Sequence, residues 1–131
     1  MDRLFVDANV LFSAAYKADA LVYRLWKRKH ATLYSSRYAF EEAQFNLADA
    51  GQLLRLTVIA QNIRFVEAGA HALPRGVSLP EKDEPILLAA IEARADYLLT
   101  GDLKHFGSLF GRKIEGVTVM FPGEYLRLDD R

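Results

Sequence analysis

The stretch Lys82–Phe106, KDEPILLAAIEARADYLLTGDLKHF, limits the possible folds of this chain more than any other. Asp83 and Glu84 stand directly before Pro85, and proline is favoured at the first position of a helix because its missing N–H has no partner to lose there. The two acids are therefore expected at a helix N-terminus. From Pro85 to Ala95 the residues are good helix formers, and Ile86, Leu87, Ala90 and Ile91 recur at helical spacing on a face that must be covered. Asp96 to Thr100 read as a short apolar strand, and the Gly101-Asp102 turn leaves a carboxylate at its carboxyl end. These features make one half of an α/β site.

The other half is expected at the start of the chain. Leu4, Phe5 and Val6 form a continuous apolar run, Asp7 follows directly, and Asn9 to Tyr16 turn helical. Strands covered on both faces have this composition, and in open α/β sheets functional groups gather outside the carboxyl ends of the strands. Asp7 and Asp102 are thus expected to meet at one rim.

LFVDANVLFSA at the start, EEA around Glu42, the DEPILLAA run and the closing DYLLTGDLKHF together resemble the PIN-domain nucleases, in particular the small single-domain kind to which VapC-like toxins are related. The resemblance spans essentially the whole chain in the right order. It implies a three-layer α/β/α sandwich with a mainly parallel central sheet, built as a single domain over residues 1–131. It also implies a ribonuclease that leaves a 5′-phosphate and a 3′-hydroxyl, with RNA as substrate and a small antitoxin protein as a possible partner. The family pattern selects Glu42 over Glu41, as the acid about six residues beyond the serine, and Asp83 over Glu84, which stays as a substitute ligand. Asn9 and Thr100, beside the strand-tip acids, are implied to orient a carboxylate or a metal-bound water. Their structural alternatives are helix N-capping for Asn9 and strand-end hydrogen bonding for Thr100.

Carboxylates crowded at one rim repel one another, and relief requires raised pKa values or a cation. The chain has no cysteine, which excludes thiolate ligands, a catalytic thiol and a disulfide framework. Oxygen donors alone point to a hard divalent ion, Mg²⁺ or Mn²⁺. Such an ion activates water and neutralises a phosphodiester under attack, and two ions can hold both the entering and the leaving oxygens. The expected ligands are Asp7, Glu42, Asp83 and Asp102, with Asp7 bridging.

At 131 residues, 51% hydrophobic and 26% charged, the chain suits one globular domain. With no basic-then-apolar leader and no apolar run of about 20 residues, it is expected to be cytoplasmic and away from membranes. Seventeen basic and seventeen acidic residues cancel, so nucleic-acid contact must come from local patches. Arg24, Lys27, Arg28 and Lys29 load the end of a second predicted helix, whose stripe is Leu21, Val22, Leu25 and Trp26. They are either favourable charges at a helix C-terminus or a phosphate-contacting surface, and the latter requires them to lie beside the acidic rim. Lys104 and His105, next to Asp102, are further candidates for contact with RNA. The three histidines share no ligand spacing, so a zinc site is not expected. Phe5, Phe12, Phe40 and Trp26 are read as core.

Further strands are expected at Ala31–Tyr34, Ile63–Glu67 and Gly116–Met120. Helices are expected after Ser35 or Ser36, over Ala50–Ala60, briefly after Leu103 and at Pro122–Leu126. Ala68 to Pro80 read as a loop, and the Asp129-Asp130-Arg131 tail as frayed. Excess apolar residues between Ala39 and Ala60 point to a homodimer. A PIN-like binding module without turnover is the main alternative. A phosphotransfer-type domain lacks the paired early acids and late lysine it would need.

Overall fold

The apolar run at the chain start forms β1, Asp2–Val6, in the computed structural model, which describes residues 1–129. Leu4, Phe5 and Val6 are completely buried, as a central strand covered on both faces requires. β1 pairs in parallel with β2 (Ala31–Ser35) on one side and with β4 (Tyr97–Leu99) on the other. β3 (Ile63–Phe65) extends the sheet beyond β2, and β6 (Val117–Met120) extends it beyond β4. The six strands run in the order β3-β2-β1-β4-β6-β5, all parallel except β5 (Lys113–Ile114).

Two connections step outward from β1, through α1 (Ala8–Tyr16) to β2 and through α2 (Arg37–Asn46) and α3 (Ala50–Ala60) to β3. The chain then returns across the sheet through α4 (Glu84–Glu92) to β4. Right-handed crossovers put α1, α2 and α3 on one face and α4 on the other, which gives the three-layer α/β/α arrangement. The direction reverses between β1 and β4, and the crevice at their carboxyl ends is the topological switch point. Asp7 and Asp102 both follow these strand ends.

α1 packs against both α2 and α3, so α3 covers α1 more than it covers its sequence neighbour α2. Capping follows the residues closely. Ser36, the second of the two candidate serines, accepts from Ala39 N at 3.1 Å, while the Ser35 hydroxyl donates to Val6 O at 2.8 Å and ties β2 to β1. Asp49 caps α3 through Gln52 N.

Several expectations are corrected. Leu21–Lys27 form a 3₁₀ helix rather than an α-helix, and Leu21 is 69% exposed while Leu25 is buried. At three residues per turn the four apolar positions do not share one face. Of the aromatics read as core, only Phe5 is fully buried; Phe12, Phe40 and Trp26 pack against the core from its margin. α4 ends at Glu92, short of Ala95, because Arg94 takes a left-handed conformation at φ 54° and Ala95 N bonds back to Ala90 O at 3.0 Å. That is a Schellman-type stop, made here by a residue other than glycine. The hairpin strand β5 was not expected. Glu115 and Gly116 have φ values of 51° and 88°, the paired positive angles of a two-residue turn whose twist suits a hairpin.

α5 (Leu103–Phe106) and a 3₁₀ turn at Gly107–Leu109 fill the expected short helical region, and α6 (Pro122–Asp129) outruns the single turn expected there. For the frayed tail, Asp129 ends α6, whereas Asp130 and Arg131 lie outside the described residues. Among the described residues no helix is long and apolar enough to cross a membrane.

The basic cluster lies away from the acids. Lys27, Arg28 and Lys29 precede β2, whose first residue Ala31 is level with Asp2 at the amino end of β1. Asp7 is at the opposite end of that parallel pair, so the condition for a phosphate-contacting cluster beside the acidic rim is not met.

Candidate functional site

Asp7 is the first residue beyond β1 and the N-cap of α1, a position where a carboxylate meets unpaired amide groups. Its Oδ1 accepts from Ala8 N at 2.6 Å, and its Oδ2 accepts from Thr100 Oγ1 at 2.8 Å and Asn9 Nδ2 at 3.1 Å. Asp7 is 4% exposed. Burial pushes its carboxyl up to about 6, against the hydrogen bonds from Thr100 and Ala8, and the charges of Glu42 and Asp83 push it further the same way.

Thr100 and Asn9 join the ends of β1 and β4. The buried Thr100 hydroxyl donates to Asp7 and accepts from Asn9 Nδ2 at 3.0 Å and Asp102 N at 3.1 Å, which uses its full capacity. Asn9 Oδ1 in turn accepts from Gly101 N at 2.8 Å. Asn9 is therefore hydrogen-bonded to a carboxylate and to the end of β4, and the N-cap of α1 is Asp7 itself.

Asp102 caps α5 with one oxygen, Oδ1, which accepts from His105 N at 3.1 Å. Its Oδ2 lies 2.8 Å from His105 Nδ1. The same ring nitrogen is 3.2 Å from Asp83 Oδ2. Asp83 occupies the N-cap position of α4, but its side chain makes no capping hydrogen bond. It is 7% exposed, and its buried Oδ2 has no hydrogen-bond partner. Burial holds this carboxyl above the usual range; Lys82 and His105 counter that, and Asp102 adds to it.

Among the described residues one group of metal-capable side chains has its donor atoms all within 4.8 Å of one another: Asp83, Asp102 and His105. Asp7 and Glu42 stand outside it, and so does Glu84. Glu42 lies on the side toward Asp7, whose carboxyl its charge raises. It also lines an open cleft of about 620 Å³ with Asn9, Ser13, Asn46, Gly101 and Asp102. Glu41 instead borders a separate depression with Gln44 and Phe45. A cavity of about 300 Å³ between Phe40 and Phe65 is lined by Arg37 and Glu67 but by none of the candidate ligands.

Two residues near these acids make contacts there that the sequence reading did not assign. Tyr38 donates its hydroxyl to Lys82 O and so ties α2 to the turn that carries Asp83. Its own pKa is raised, first by burial and then by Glu42 and Asp83. His105, a candidate for contact with RNA, turns its Nδ1 to two carboxylates. The i, i+3 spacing from a helix-capping aspartate was the available signal. Lys104 is exposed.

The family model for the PIN domain matches residues 3–104. No curated protein sequence matches the chain. Among solved structures, the crystal structure of VapBC2 from Rickettsia felis bound to a DNA fragment from their promoter contains a chain of similar fold. The TM-score is 0.65 at 15% sequence identity, covering 91% of this chain and 98% of that one.

Proposed function

The chain belongs to the PIN domain family, whose members are generally nucleases, and from that premise we propose that it is a metal-dependent endoribonuclease acting as one domain over residues 1–131. The observation that carries the reading is Asp83. A carboxylate at a helix N-cap ordinarily accepts from its own helix. This one ends a 3₁₀ turn, Glu81–Asp83, that runs into α4, makes no capping bond, is buried, and points an oxygen that accepts no hydrogen bond toward Asp102 and His105 at the switch point of the sheet. A buried carboxylate oxygen that accepts no hydrogen bond is costly unless something cationic meets it. The donor set fits a divalent ion.

In this reading Asp83 and Asp102 hold Mg²⁺ or Mn²⁺, and Asp7 and Glu42 supply negative charge on the wall beside them. When bound, such an ion lowers the pKa of its water and neutralises charge on a phosphodiester. Asn9 and Thr100 hold the Asp7 carboxylate by hydrogen bonds, and the exposed Lys104 would contact a phosphate of the RNA. The products are a 5′-phosphate and a 3′-hydroxyl. The protein would be cytoplasmic, a homodimer through its apolar 39–60 region, and, as the resemblance to VapC-like toxins implies, the toxin of a toxin–antitoxin pair.

The purified protein should cut single-stranded or structured RNA with Mg²⁺ or Mn²⁺ and stop in EDTA. Asp102→Asn keeps a good N-cap for α5 and should lose cleavage. Cleavage that survives EDTA, or an Asp102→Asn protein as active as the native one, would overturn the proposal.

A second reading, a nucleic-acid- or protein-binding module without turnover, is favoured by one observation: the Lys27–Lys29 cluster is at the far end of the sheet from the acids. A protein that binds RNA and Mn²⁺ but cuts nothing would establish it.

A further inference from the structure

We propose that His105 is a nitrogen ligand of the divalent cation, forming one coordination face with Asp83 Oδ2 and Asp102 Oδ2. The inference rests on the metal-dependent reading above and changes the expected chemistry of the site, from oxygen donors alone to mixed nitrogen and oxygen.

Geometry carries it. His105 Nδ1 is 2.8 Å from one carboxylate oxygen and 3.2 Å from the other, and the three atoms lie within 4.8 Å of one another. Two donors about 2.1 Å from one ion and at right angles to each other are about 3.0 Å apart, so the spacing of the ring nitrogen from each carboxylate oxygen is that of adjacent ligands. His105 N–H donates to Asp102 Oδ1, and the ring nitrogen Nδ1 lies beside the remaining oxygen, Oδ2.

The second observation is the unmet hydrogen bonding of a buried side chain, Asp83, aimed into the group. A ring nitrogen carries at most one hydrogen, and here its hydrogen-bond geometry is satisfied by Asp102 alone. Asp83 Oδ2 remains buried without a hydrogen bond although the ring is close by. Hydrogen bonding within the group therefore leaves one buried acceptor unmet. A cation held by all three atoms would satisfy each of them and neutralise two carboxylates in the same step.

An imidazole in the set has a chemical consequence. Carboxylate and water suit Mg²⁺, whereas imidazole raises affinity for later divalent ions of the first transition row. The site should therefore favour Mn²⁺, and more strongly Co²⁺, over Mg²⁺.

The test uses the full chain with any histidine tag removed. Pulsed electron paramagnetic resonance of the Mn²⁺-loaded native protein should show coupling to a directly bound ¹⁴N, and His105→Gln should abolish it. By calorimetry the ratio of Co²⁺ to Mg²⁺ affinity should fall by about tenfold or more in His105→Gln, with Mg²⁺ affinity little changed. Mn²⁺ bound without nitrogen coupling, or a variant that weakens Co²⁺ and Mg²⁺ equally, overturns the assignment of His105 and leaves the nuclease reading standing. A native protein that binds no divalent ion overturns both.

Discussion

Thr100 donates its hydroxyl proton to Asp7 across 2.8 Å, linking residues 93 positions apart at the carboxyl ends of neighbouring parallel strands. Through it the first carboxylate of the chain is held in place by the strand that leads to Asp102.

Thr100→Val keeps the shape and removes the hydroxyl, leaving Asp7 Oδ2, Asn9 Nδ2 and Asp102 N each short of a partner. A loss of about 1–3 kcal/mol is expected, read by urea denaturation. Thr100→Ser should be close to native. Equal losses in the two variants would show that the methyl group, and not the hydroxyl, matters.

Asp7, whose carboxyl is raised from 3.8 to about 6 by burial, makes the metal-free protein less stable as pH rises. Its contribution is greatest below pH 3.8, where folded and unfolded chains are both protonated, and is lost as pH passes through about 6. Asp7→Asn retains the helix cap and cannot ionise. In EDTA it should gain about 3 kcal/mol over the native protein at pH 7.5 and much less at pH 4.5. RNA cleavage should meanwhile fall by about 100-fold or more. Thermal denaturation at the two pH values decides the first point; a pH-independent difference would count against burial as the cause.

Metal should reverse the penalty. Because the ion binds ionised carboxylates, Mn²⁺ at 100 times its Kd should add about 2.7 kcal/mol at pH 8 and distinctly less at pH 5. The increment should vanish in Asp83→Asn and on adding EDTA. Differential scanning fluorimetry with and without the ion reads this directly.

Contact with RNA is expected near Lys104 and not at the amino edge of the sheet. Lys104→Glu should weaken RNA binding and reduce the slope of log affinity against log salt by about 1, while Lys29→Glu should leave both unchanged. Filter binding across a salt series would separate them. The reverse pattern would relocate the nucleic-acid surface.

Phe45 is 89% exposed on α2, and Leu54 and Val58 are exposed on α3. A homodimer formed through these helices should become monomeric in Phe45→Asp by light scattering, with little change in the melting of the monomer. A native protein that is already monomeric removes the dimer.

Local structure was legible because its causes are local. Pro85 behind two acids marked the start of α4, the Ser35-Ser36 pair marked α2, and the apolar runs before Asp7 and Asp102 marked β1 and β4. Where a local cue was ambiguous the chain settled it by other means. Arg94 ended α4 early, and the Leu21–Lys27 segment became 3₁₀ with its Trp26 N–H bonded to Ile59 O of α3.

Periodicity, capping and composition thus determined most elements, the parallel α/β class and the rim where Asp7 and Asp102 would lie. Only the tertiary structure decided that Asp83 turns inward and makes no capping bond, that His105 stands between two acids, and that the Lys27–Lys29 cluster is at the opposite edge. Backbone propensity is set within a few residues along the chain, whereas the aim and neighbours of a side chain depend on how separate elements pack, and no single segment encodes that.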